Sequence, residues 1–140
     1  MRKHDWTLAL ALSLPTLVGG CAAAAVVGVG LGAVVVSQEL TDSNVYVTHL
    51  SMNVNEVWPT AKVFMADQSL ELIEADEQAR IVKARIDGAN VTVAVEAYDL
   101  DKTLMRVSAK RYGVNDGDMA RIITERITRR LDQVQAAKQR

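Results

Sequence analysis

Reactive side chains are scarce in this sequence. There is one cysteine, Cys21, and of the two histidines His4 lies in the first few residues, which leaves His49 for the body of the chain. A zinc site built from His and Cys needs three or four such ligands, so none can be assembled from this inventory. A Ser-His-acid triad would have to use His49, and the G-x-S-x-G elbow that presents a nucleophilic serine is absent. Glu71, Glu74, Asp76 and Glu77 form a local group of carboxylates. Paired acids can do acid–base chemistry when buried and close, but these flank a polar turn where exposure to water is the default. Asp116-Gly117-Asp118 has the flavour of a calcium loop, yet it lacks the fixed ligand positions and closing Glu of an EF-hand. The expectation is a protein with no catalytic residues, no metal and no cofactor, and so not an enzyme.

What surrounds Cys21 is more informative. Met1 to Asp5 is a short charged leader, Trp6 to Val18 is an apolar run of thirteen residues, and Gly19-Gly20 are small. That order is the signature of a secretory signal peptide. The run is too short to cross a bilayer core, which takes about 20 residues, and Pro15 interrupts it near its end. Leu17-Val18-Gly19-Gly20-Cys21 resembles the lipobox of bacterial lipoproteins, with Val18 rather than the commoner Leu three positions before the cysteine. The resemblance implies a signal peptide over residues 1–20 and cleavage between Gly20 and Cys21. It also implies a diacylglyceryl group on the Cys21 sulfur and acylation of the new amino group. Ala22 stands where an Asp would resemble an inner-membrane retention signal, so the likeness points to an outer membrane with the domain facing the periplasm. Each buried methylene adds about 0.8 kcal/mol, and two or more acyl chains anchor stably.

Residues 21–42 read as the lipidated cysteine followed by an apolar tether. Gly28-Val29-Gly30-Leu31-Gly32-Ala33 formally matches a dinucleotide fingerprint, but the strand before it and the helix after it are missing from the pattern. Gly28 and Gly32 are spaced for close helix contact. Cys21 to Val36 would measure about 24 Å as a helix, short of the hydrocarbon core. Linker, membrane-surface packing and self-association all remain open for this stretch.

From residue 43 to 140 the pattern is that of one α+β domain. Val45 to Thr48 is strand-like, and Asn55 is a plausible cap for a helix carrying Val57, Trp58, Ala61, Phe64 and Met65 at helical spacing. Leu70 and Leu72 flank Glu71 as in a short strand. Val82, Ala84 and Ile86 alternate with Lys83 and Arg85, Asp87-Gly88-Ala89-Asn90 marks a hairpin turn, and Val91, Val93, Val95 and Ala97 alternate again. Met105, Val107 and Ala109 complete the set. After a loop over residues 113–117, Asp118 can cap a final helix striped by Met119, Ile122, Ile123, Ile127, Leu131 and Val134. The order strand–helix–four strands–helix predicts an antiparallel sheet of four to five strands with two helices on one face, the other face being wet.

Charge is divided by region. Residues 22–79 hold one base and eight acids, whereas residues 80–140 hold thirteen bases and eight acids. Arg121, Arg126, Arg129 and Arg130 on the final helix could meet lipid headgroups, peptidoglycan or an acidic partner, or simply form a solvated face. An exported anchored protein would not meet nucleic acid. The lipobox, the apolar stretch and the element order also resemble a family of small envelope lipoproteins known only as a domain of unknown function. The expected role is a non-enzymatic, lipid-anchored envelope component that meets the membrane through Cys21 and binds a protein partner in an assembly. The alternative is a periplasmic module holding a small apolar ligand or lipid between sheet and helices, which requires a deep apolar cavity.

Overall fold

The computed structural model describes residues 35–41 and 45–140, with side chains described from Val45 onward. The elements are β1 (Val35–Thr41), β2 (Val45–Leu50), α1 (Val54–Gln68), β3 (Glu74–Asp76), β4 (Ile81–Ile86), β5 (Ala89–Asp99), β6 (Lys102–Arg111), β7 (Val114–Asn115) and α2 (Gly117–Lys138). All pairings are antiparallel, in the order β1-β2-β6-β5-β4-β3, with β7 on β6 beyond the start of β2. The α+β class and the sheet-and-two-helices architecture are those expected. The sheet is wider than the patterning suggested, because β1 occupies residues assigned to the end of the tether and because β3 and β7 are very short.

Period-two alternation places one face of the sheet under the helices. Val82, Val93 and Val107 lie directly opposite one another across β4, β5 and β6, and all three are fully buried. Against that row pack Val57, Ala61 and Met65 of α1 and Ile123, Ile127 and Leu131 of α2, each with no exposed surface. Ala61 and Ala120 bring the helix backbones close to the sheet. The helices run antiparallel: Glu56 at the start of α1 accepts from Gln135 and Lys138 at the end of α2, and Gln68 at the end of α1 accepts from Arg126.

Both helix caps differ from expectation. Asn53, not Asn55, caps α1: its Oδ1 accepts from the Asn55 N–H at 2.8 Å, while its Nδ2 donates to the Leu100 carbonyl at 2.7 Å. The same side chain therefore starts the helix and holds the β5–β6 turn. Pro59 consequently falls in the second turn of α1, where the missing N–H leaves the exposed Asn55 carbonyl to water. Asp116, not Asp118, caps α2, accepting from the Met119 N–H at 3.0 Å.

Leu70 and Leu72 form no strand and are fully exposed. The Ser69 hydroxyl explains this. It accepts from the Glu71 N–H and directs its proton toward the Glu71 and Arg85 carbonyls, so a local turn takes the place of a ladder. The expected hairpin is present but tighter than residues 87–90, because Ala89 and Asn90 already pair in β5. Asp87-Gly88 alone make the turn, with φ of 49° and 79°, the left-handed pair that a two-residue turn between strands requires. Tyr112-Gly113 repeats that geometry between β6 and β7.

Two buried threonines face the core from adjacent strands and differ in one respect. The Thr103 hydroxyl donates to the Met52 carbonyl at 2.7 Å, whereas the Thr48 hydroxyl has no partner among the described residues. Thr103→Val is expected to cost about 1–3 kcal/mol by orphaning a buried carbonyl, while Thr48→Val is expected to be neutral or stabilising by up to about 1 kcal/mol. Urea denaturation of the two variants checks the opposite signs.

Candidate functional site

Gly20 and Cys21, the residues of the expected cleavage and lipidation site, lie outside the described residues. Among the described residues no three His, Cys, Asp or Glu side chains are grouped to hold a metal, and no helix is long and apolar enough to cross a membrane.

The carboxylates around β3 do not converge. Glu77 accepts from Trp58 Nε1 at 2.7 Å through one oxygen and pairs with Lys62 at 2.5 Å through the other. Those two donors, Lys62 foremost, hold its carboxyl below the usual range. Lys62 in turn lies over the Trp58 ring, 5.7 Å from its centroid. Asp76 accepts from the Gln78 and Ala79 N–H groups and so closes the β3–β4 turn. Glu71 reaches Arg85 at 3.8 Å. Glu74 and Asp76 share a shallow open depression of about 250 Å³ with Ala75, Ile81 and Lys83 at the sheet edge. Trp58 and Phe64 are buried core residues of α1.

Asp116-Gly117-Asp118 is a helix start rather than an ion loop. The Met119 N–H first, and then the Arg111 guanidinium at 3.0 Å, hold the Asp116 carboxyl below the usual range. The sheet face turned away from the helices carries half-buried Val47, Ala94 and Leu104, the Arg106–Glu96 pair, and His49 edge-on to Tyr98 with centroids 5.8 Å apart. Among the described ion pairs and hydrogen bonds none places an acid on His49.

The four arginines of α2 do not act as one surface. Arg121 points to a different side of the helix and pairs with Glu125 at 2.7 Å, which raises its pKa further. Arg126, Arg129 and Arg130 share a face and line an open groove of about 350 Å³ against the end of α1. The opposite wall is made by Phe64, Asp67 and Gln68. Arg126 Nη1 donates to Gln68 Oε1 at 3.3 Å, but among the described residues none of the three arginines, nor Asp67, forms an ion pair. The α1 wall was not foreseen from the sequence. Its signal was an acid, Asp67, in the last turn of a helix with no base there, where the helix dipole disfavours negative charge.

No family model matches the chain, and no curated protein matches it.

Glu77 and Asp116 are carboxylates depressed in the folded state. Their contribution to stability is fully present above the ordinary carboxyl pKa of about 4 and is lost as pH falls through the lower folded values. Stability measured by denaturation between about pH 5 and 2 should therefore fall, and Asp116→Asn or Glu77→Gln should flatten part of that slope.

Proposed function

We propose that the protein is a lipid-anchored component of a bacterial cell envelope whose folded domain acts by binding rather than by catalysis. The observation that carries this reading is the run Leu17-Val18-Gly19-Gly20-Cys21 after a charged leader and a thirteen-residue apolar stretch. A lone cysteine behind small residues is the acceptor that lipoprotein processing uses. The domain's chemistry supports the second half of the reading. Its two carboxylates with lowered pKa are engaged in structure, Glu77 with Trp58 and Lys62 and Asp116 with the α2 cap. The described concavities are open and lined by charged side chains, which suits surface recognition better than enclosure of an apolar ligand. We infer a domain on the periplasmic side of an outer membrane, where a protein partner in an envelope assembly would meet it.

Intact-mass measurement of the natural product is expected to find a chain beginning at Cys21 with acyl mass on that residue. Cys21→Ser is expected to leave the membrane fraction or to stay unprocessed. A mature chain with an unmodified thiol, or a Cys21→Ser variant processed and retained as before, overturns the anchor. Crosslinking in whole cells addresses the partner, and recovery of lipids and abundant porins alone counts against an assembly.

A further inference from the structure

We propose that the groove between the end of α1 and the middle of α2 binds the headgroup of an amine-bearing membrane phospholipid, with its phosphodiester on Arg126, Arg129 and Arg130 and its ammonium on Asp67. The groove's two walls carry opposite charge. Arg126, Arg129 and Arg130 stand on one side and Asp67 on the other, yet no ion pair joins them across it. Both signs are thus left for an occupant.

Spacing selects the kind of anion. From Arg126 to Arg130 the helix rises about 6 Å, so the three arginines that line the groove lie close enough along the axis to serve one small group rather than carboxylates strung along a peptide. A phosphodiester offers guanidinium forks two charged oxygens, as a carboxylate does, and adds two ester oxygens as weaker acceptors that a carboxylate lacks. Gln68 and Gln133, at the rim, add amide donors for the remaining oxygens. A bare anion would leave Asp67 repelled, and a zwitterion satisfies it. The groove's volume of about 350 Å³ lies within the range of small-molecule sites. Residues 22–34 can span at most about 45 Å when extended, so an anchor at Cys21 would keep the start of β1 within that distance of a bilayer. The headgroup site does not depend on that anchor, and it goes beyond recruitment of a protein partner.

The test uses the full chain in a maltoside detergent and follows the arginine Nε–Hε signals by NMR. Titration with glycerophosphoethanolamine is expected to give saturable shifts at Arg126, Arg129 and Arg130. Arg129→Gln with Arg130→Gln should weaken that binding about tenfold or more with an unchanged unfolding midpoint. Asp67→Asn should abolish the preference for glycerophosphoethanolamine over glycerophosphoglycerol. Absence of saturable shifts overturns the site. Tighter binding of inorganic phosphate would reassign the groove to a free anion, and tighter binding of a decaglutamate peptide would reassign it to an acidic partner. A lower unfolding midpoint in the arginine variant with the shifts retained would make the arginines a counter-charge for the end of α1, and that also overturns the proposal.

Discussion

The burial of Val82, Val93 and Val107 beneath the helix layer, with α1 over β4 and β5 and α2 over β6 and β2, is what the domain is organised around. β-Branched side chains at alternate positions bury one face of a pleated sheet and leave the next set of residues on the other face. A one-residue slip in β5 would send Val91, Val93 and Val95 into water and Thr92, Ala94 and Glu96 into the core, so register is tightly specified. With the sheet's inner face and the inner sides of both helices committed to that core, recognition is left to the open sheet face, the sheet edges and the outer side of the helix layer.

Polar side chains in this domain tend to hold two elements at once. Asn53 caps α1 and grips the β5–β6 turn, Asp116 caps α2 and binds Arg111 at the end of β6, and Glu77 ties the β3–β4 turn to α1 through Trp58 and Lys62. Glu77 and Asp116, each accepting two donors, are stabilised in their ionised forms, which makes them good braces and poor proton carriers near neutral pH. The arginines of the interhelical groove are the contrast, since their partners within the described domain are few.

Where burial alternates strongly, the sequence was readable. The faces of β4 and β6, of β5 as far as Val95, and the centre of the α2 stripe could be assigned from the sequence, because lysine and arginine between valines leave one arrangement that keeps charge in water. Ala97, expected inward, is exposed beside the irregularity at the end of β5, and Ile122 and Val134 are only half-buried. Local competition was harder to read. Asn53 and Asn55 are equally good caps by type, as are Asp116 and Asp118, and tertiary contacts to Leu100 and Arg111 accompany the ones that cap. The Leu70–Leu72 alternation mimicked a strand until the Ser69 hydroxyl claimed the backbone of Glu71. The groove was half legible: its arginines sit on one helix at helical spacing, but Asp67 and Gln68 come from another, and no periodicity reports which helices will lie side by side.

One further consequence concerns mechanical load. Among the described residues β1 is an edge strand, paired to β2 alone, and Val35 sits opposite Leu50, the last residue of β2. Tension transmitted through the polypeptide before Val35 therefore arrives at the sheet's margin, with β2 between it and the valine row that begins on β6. Hydrogen bonds would rupture there one after another, unzipping from Val35 inward, and would pay out seven residues, about 23 Å of chain, before any force reached the folded interior.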